Sequence, residues 1–428
     1  MIHFKTTRPN LSIASLQARL KASTISQHTL LLLLNSLVNG LGGIGFWFVA
    51  ARFYSPAIVG IATAGTSMIV LLATVSQFGL GMGMIRYASA LGPRRRQWLG
   101  AIWGTTVLAS VIAGGLFGQL APLIAPGLLP LFRAPVDATL FVGACITWAI
   151  SILFDSYLVS QRRMDLMVID NSLTALCRIV LVAAVPHASA AMLIAGTGLS
   201  GLVGVVAVLP ALLRQPAAAN ARSAALSFRE FMSYSLWNYW IAITSMVTTL
   251  ALPSIILSFT DGVQTAAYYM AWSLFSGLTM VPSALSQVLL VTRAHSAAAS
   301  ESTPRPRQRH DLLMLLLALV FIPLALGILA LLGKSYFSYG WLVVLILAVG
   351  YWPNYRALLL QTEMRLVGSQ QVLAFIYTAS YAATLGLSIP LLVALGAPGA
   401  ALAWALGQCL LYALLTWGLR RYRAVQPT

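Results

Sequence analysis

The sequence predicts an all-α polytopic membrane protein with about twelve transmembrane helices, arranged as two parallel six-helix bundles around a central cavity. Composition is the first reason. Of 428 residues, 59% are hydrophobic and 8% are charged, too little charge to keep a soluble surface dispersed. The second is segmentation into apolar stretches, each near the ~20 residues that cross a bilayer as a helix. The third is the placement of positive charge. Of 26 Lys and Arg, 22 fall on one side when the segments are counted off. Three (Arg52, Arg133 and Lys334) fall on the other, and Arg178 falls inside a segment. A missed or invented span would reverse the parity of every later loop and spoil that asymmetry, so an even count near twelve follows. The positive-inside rule then places both termini in the cytoplasm.

Taken in order, residues 1–27 are polar and form a cytoplasmic lead-in, in which Leu11 to Ala22 reads as a short amphipathic surface helix. The apolar run after it has no small-residue cleavage site, so it is the first span rather than a signal peptide. That span runs from about His28 to Ala51, and the turn at Arg52–Pro56 faces outside. The second runs from about Ala57 to Arg86, and the Arg94–Arg96 loop returns the chain to the cytoplasm. Spans three to six fall near 98–121, 137–160, 166–185 and 189–213. Spans seven to twelve fall near 231–257, 264–291, 311–332, 337–360, 371–395 and 398–419. The segment Ala294 to His310 is a polar connector.

The chain repeats after 206 residues: Phe53–Gly60 aligns with Phe259–Ala266, Gly201 with Gly407 and Arg214 with Arg420. Residues 28–222 and 223–428 are therefore expected to be the N-terminal and C-terminal bundles. Because six is even, the two halves keep the same orientation, related by an axis along the membrane normal. Such bundles can rock against each other around a central cavity.

The composition also excludes several classes. The net charge of +17 is not a nucleic-acid footprint, because the basic residues flank apolar spans, where they meet anionic lipid. Cys145, Cys177 and Cys409 all lie in apolar segments and read as small core residues. No metal and no cofactor is expected. Gly79, Gly81 and Gly83 follow no strand and are not a dinucleotide fingerprint; they let helices approach or flex.

Several stretches resemble a known family. Phe46–Pro56, Val59–Ala62 and Gln77–Arg86 look like the start of bacterial Wzx-like polysaccharide flippases, within the multidrug/oligosaccharidyl-lipid/polysaccharide exporter superfamily. Asp155–Arg163, Leu331–Tyr336 and Gly396–Leu402 fit the same pattern. The resemblance implies export of an oligosaccharide linked to undecaprenyl pyrophosphate, from the inner to the outer leaflet of the bacterial cytoplasmic membrane, for surface polysaccharide such as lipopolysaccharide or exopolysaccharide. It implies membrane lipids, the lipid-linked oligosaccharide and polysaccharide polymerase and chain-length machinery as partners. A membrane potential of about 100 mV is worth roughly 2.3 kcal/mol per charge, so the field alone can bias outward movement of a pyrophosphate.

The candidate substrate-binding residues are Arg178, Asn35, Asn39, Arg86, Asn238, Tyr239 and Arg356. Arg178 lies near the middle of span five, where a charge costs roughly 2.5–3.5 kcal/mol on insertion scales. It reads either as a bidentate contact for pyrophosphate or acidic sugar, or as a structural partner of Asp155 or Asp170, or as a side chain that snorkels. Asn35 and Asn39 are four apart on one face of span one, to contact sugar hydroxyls or to bond between packed helices. Asn238 and Tyr239 sit at similar depth in span seven. Arg86 and Arg356 are topological charges or greet an anionic headgroup at the inner mouth.

Two rivals remain. A glycan-modifying enzyme needs acidic pairs, a catalytic histidine or a large outer loop; the five histidines sit at span ends or in loops, and no catalytic residue is assigned. A cation-coupled multidrug antiporter needs a carboxylate deep in the membrane. Spans one and seven contain none, which favours an anionic substrate.

Overall fold

The computed structural model describes residues 13–87, 95–186, 189–213, 228–296, 308–367 and 370–425. Among them the regular structure is helical throughout. Thirteen α-helices run α1 (Ile13–Phe53), α2 (Pro56–Val75), α3 (Leu80–Tyr87), α4 (Arg95–Ile124), α5 (Pro135–Ser160), α6 (Met164–Ala184), α7 (Ala190–Leu213), α8 (Phe228–Phe259), α9 (Gly262–Ser296), α10 (Gln308–Leu332), α11 (Lys334–Val367), α12 (Gln370–Leu395) and α13 (Ala397–Val425). Eleven segments among the described residues are long and apolar enough to cross a membrane. The 35-residue α9 completes a twelve-pass topology in which α2 and α3 share one pass. The loop residues 88–94, the 214–227 connector with Arg214, and residues 297–307 of the polar connector lie outside the described residues.

The internal repeat is visible at the level of single caps. α1 ends at Phe53 and α8 at Phe259; α2 starts at Pro56 and α9 at Gly262. Ser55 caps α2 by accepting the Ile58 N–H on its hydroxyl (3.4 Å), and Asp261 caps α9 by accepting the Gln264 N–H on its carboxylate (2.8 Å). All three pairs are 206 residues apart. The packing graph is duplicated as well. α1 packs on α6 as α8 packs on α12, and α5 packs on α7 as α11 packs on α13; α6 with α7 matches α12 with α13, and α4 with α5 matches α10 with α11. The two bundles meet where α1 and α2 face α8 and α9.

Three local departures from the sequence reading have physical causes. The lead-in helix does not lie apart: α1 continues unbroken from Ile13 into the first span, because residues 22–28 contain neither Gly nor Pro to stop it. Span three runs past its expected end at 121, since α4 continues through Pro122 to Ile124, and a 3-10 segment, Pro126–Leu131, follows. Span two is broken. Ser76 folds its hydroxyl and its N–H back onto the Leu72 carbonyl (2.7 and 2.9 Å), closing α2. Phe78 and Gly79 then take positive φ (46° and 72°) before α3 begins. The kink brings the chain against α8, where a Cβ on Gly79 would strike the Ser235 carbonyl. Glycine is required there on both counts.

Side chains divide as a lipid-bathed fold demands. On α1, Leu30, Leu34, Leu37 and Leu41 are exposed in one helical stripe, while Phe46, Trp47 and Ala50 turn inward to a core that also takes in Leu252, Tyr268 and Phe275 of the other bundle.

At the end marked by Ser55, the bundles touch through backbone. A Cβ on Gly60 would run into the Gly262 carbonyl, and one on Gly262 would meet Ala57. Ser254 donates to the Ala64 carbonyl (3.2 Å), and Gly127 N–H to Ser258 (3.3 Å). Toward the opposite end, marked by Arg86, α3 lies on α8, with Gly83 against Phe231 and Ser235.

Candidate functional site

Three cavities share one side chain, Arg178. The first, about 220 Å³, lies between the bundles and is bordered by Asn39 of α1, Ser67 of α2, and Tyr269, Trp272 and Ser273 of α9. The second, about 350 Å³, lies within the N-terminal bundle and is bordered by Asn39, Asp155, Asp170, Asn171 and Thr174. The third, about 550 Å³, runs among α1, α5, α6 and α7 toward the Ser55 end and is almost wholly apolar.

Arg178 is held from two sides. Its guanidinium lies over the Trp148 ring (5.0 Å) and near Phe46 (5.9 Å), contacts worth about 0.5–2 kcal/mol each. Its Nε donates to Ser200 at 3.4 Å. Neither Asp155 nor Asp170 is among its partners, so the structural ion pair anticipated as one reading is not formed. A guanidinium carries five N–H donors in a planar fork. One long bond to Ser200 leaves most of that fork bordering the cavities, at a depth where an unneutralised charge is costly. An anion placed there would be held by charge-assisted bonds.

The other polar groups of the N-terminal bundle form a separate network. Asn171 donates through Nδ2 to Asn35 (3.0 Å), to Asp155 (3.1 Å) and to the Met167 carbonyl (3.1 Å). Asp170 is 3% exposed, and its Oδ1 has no hydrogen-bond partner. Gly204 leaves room for that carboxylate, since a Cβ there would strike it. A buried carboxylate oxygen without a donor is costly unless a proton or cation completes it. The convergence of Asp155 with Asp170 tempers the sequence argument from scarce carboxylates, because two of the few present share one cavity.

The seven candidate residues therefore separate. Arg178 and Asn39 come together on the first and second cavities. Asn35 is buried one helical turn away, accepting from Asn171 in the carboxylate network, and borders none of these three cavities. Tyr239 donates to the Val75 carbonyl (2.9 Å), bridging α8 to the end of α2. Asn238 is on α8, with its side chain outside the described residues. Arg86 is exposed in the last turn of α3, its guanidinium 5.4 Å from the Tyr87 ring. Arg356 pairs with Asp311 (3.3 Å) and lies over Trp352, while Tyr355 donates to the same carboxylate. Trp148, Tyr269 and Trp272 line the first cavity beside Arg178 and were not singled out by the sequence reading. Their only signal is large aromatic rings in otherwise aliphatic spans.

The Tyr239 bridge can be weighed. A neutral hydrogen bond contributes about 0.5–1.5 kcal/mol. Tyr239→Phe is expected to lower the thermal midpoint of the purified protein by no more than about 2–4 °C, read by a tryptophan-fluorescence melt.

The described residues thus form a multi-pass helical fold of two repeated bundles, with polar cavities at and beside their seam. The fold is similar to an inward-facing multidrug resistance MATE family transporter of the MOP superfamily (TM-score 0.62, 13% identity, covering 93% of this chain and 95% of that one). It is similar also to the lipid II flippase MurJ in an inward closed conformation (0.67, 11%, 90% and 86%) and to a MATE in complex with MaD3S (0.60, 12%, 95% and 97%). At these identities the likeness is one of fold. No protein-family model matches the chain, and no curated protein matches its sequence.

Proposed function

We propose that the protein is a flippase that moves undecaprenyl-pyrophosphate-linked oligosaccharide from the inner to the outer leaflet of the cytoplasmic membrane for surface polysaccharide assembly, by alternating access. The observation that carries this reading is Arg178, a mid-span guanidinium with no carboxylate partner among the described residues, on the wall of three cavities. Its planar fork matches the oxygens of a pyrophosphate bidentately. Asn39, Ser67, Ser273 and Trp272 beside it supply the hydroxyl, amide and aromatic surfaces that suit sugar. The central space, about 220 Å³, is below the usual ~300–1,000 Å³ of a ligand site, so the bundles separate to admit an oligosaccharide. The Arg86 end, rich in arginine, faces the cytoplasm under the positive-inside rule. The partners are the lipid-linked oligosaccharide, the surrounding lipids, and the polymerase and chain-length machinery that receive the product. A deletion strain is expected to accumulate lipid-linked sugar in the inner leaflet and to recover when the gene is restored. No accumulation, with surface polymer intact, would refute the reading.

A second reading, a cation-coupled multidrug antiporter, is favoured by one observation: the Asp155 and Asp170 pair with its unpartnered oxygen. Both readings accommodate a coupling cation, and they differ in cargo. Asp170→Asn keeps the side chain's shape and removes its charge. The expected result in proteoliposomes is about a tenfold slower export, with loss of dependence on an imposed sodium or proton gradient. Unchanged gradient dependence would make the pair structural. Export of cationic dyes but not of lipid-linked sugar by the parent would establish the antiporter.

A further inference from the structure

The apolar cavity above Arg178 has the form of a slot for a single hydrocarbon chain. Its walls are α5 and α7, with α6 at the back: Leu140, Gly143 and Ala144 face Ala195, Gly196 and Leu199. From Arg178 to Val185, both on its border, the last turns of α6 and its cap residue advance seven residues, or about 10 Å. Arg178 is the one charged residue on that border, at the inner end; Tyr54 closes the other end, donating its hydroxyl to the Val185 carbonyl. Two glycines create the width. A Cβ on Gly143 or on Gly196 would meet nothing within 4 Å, so the space is not a tight helix contact. The slot also reaches the protein's surface, where Met192 and Leu199 are each 54% exposed. An apolar channel of about 550 Å³, reaching the lipid-facing surface and ending in an unneutralised cation, complements an amphiphile with an anionic head and a long apolar tail.

We propose that this slot holds the first isoprene units of the lipid substrate while its pyrophosphate meets Arg178. The assignment rests on the flippase reading above and adds the path of the tail: it leaves the site through the N-terminal bundle, between α5 and α7, rather than through the seam between bundles. The orientation is that of a lipid still in inner-leaflet register, head at mid-span and tail toward the outer leaflet. Because surrounding lipid is as apolar as the slot, the gain is packing and alignment rather than hydrophobic burial.

The test uses full-length protein in phosphatidylglycerol nanodiscs and a farnesyl pyrophosphate analogue with a diazirine on its terminal isoprene. After irradiation, the modified peptides are mapped by mass spectrometry, with and without excess inorganic pyrophosphate. The expected label falls on the α5 and α7 peptides that contain Gly143 and Gly196. It should drop about tenfold in Gly196→Phe and in Arg178→Ala, and pyrophosphate should compete it. Gly143→Leu fills the same slot from the opposite wall and serves if Gly196→Phe does not fold. Label on α8 or α9, or label unchanged by both filling variants, overturns the tail path while leaving Arg178 as a phosphate contact. Equal labelling of α5 and α7 by a phosphatidic acid carrying the same diazirine also overturns it, since the slot would then be an ordinary lipid crevice. An absence of any pyrophosphate-competed label overturns the slot and the anionic-headgroup reading together.

Discussion

Arg178→Ala is expected to reduce export of lipid-linked oligosaccharide by about 10- to 150-fold while the protein inserts at normal abundance. The magnitude follows from the role. A hydrogen bond to a charged group contributes about 1.5–3 kcal/mol, and each 1.4 kcal/mol is tenfold. The folded state should tolerate the change, because among the described residues Arg178 makes one long hydrogen bond, to Ser200, and two ring contacts, with Trp148 and Phe46. No carboxylate is orphaned by its removal. Arg178→Lys should restore transport in part, since an ammonium keeps the charge but loses the planar fork. The measurement is surface polymer in a complemented deletion strain, normalised to membrane-embedded protein. Normal polymer from a well-expressed Arg178→Ala protein would remove Arg178 from the transport path.

Gly60→Val should force the Ser55 end of the bundles apart. The clash is with the Gly262 carbonyl, which is backbone and cannot swing aside as a side chain does. Overpacking of this kind costs about 1–3 kcal/mol, comparable to the gap between two transport conformations. The prediction is read by chemical accessibility. With Cys145, Cys177 and Cys409 replaced by Ala, a cysteine at Thr66, which borders the central cavity and is buried, should be refractory to an aqueous maleimide in the parent. It should label at least about tenfold faster in Gly60→Val, and transport should stall. A folded Gly60→Val protein with no change in labelling would mean that this seam is not a gate.

The wedge and the arginine show two kinds of legibility. Gly60 and Gly262 lie in the two copies of the repeated turn that the 206-residue spacing exposes, yet nothing in sequence says that these backbones touch. Arg178 stands out in any linear reading as a charge inside a span. What the linear reading left open was its partner: Asp155, Asp170, snorkelling or substrate. The packing of α6 against α1 and α7 turns it toward Trp148, Phe46 and the cavities, away from ion-pair distance of either carboxylate. Asn35 and Asn39 look equivalent at four-residue spacing, but one turn of α1 separates a buried network from an open wall. Tyr239 had the depth, and Arg356 the place at the inner mouth, considered for site residues; the Val75 carbonyl and Asp311 are the partners of their polar groups.

The sequence alone determined that this chain crosses a membrane about twelve times, as two repeated halves, with one cation stranded at mid-span. Those properties depend on the sum of transfer free energies along a segment and on the parity of loops, which are additive and need no neighbour. The tertiary structure decided which polar groups share a cavity, where span two breaks, and where the bundles press backbone to backbone. These depend on how each helix is rotated and tilted about its own axis, and in lipid that rotation is set by the close packing of small residues on facing helices rather than by hydrophobicity.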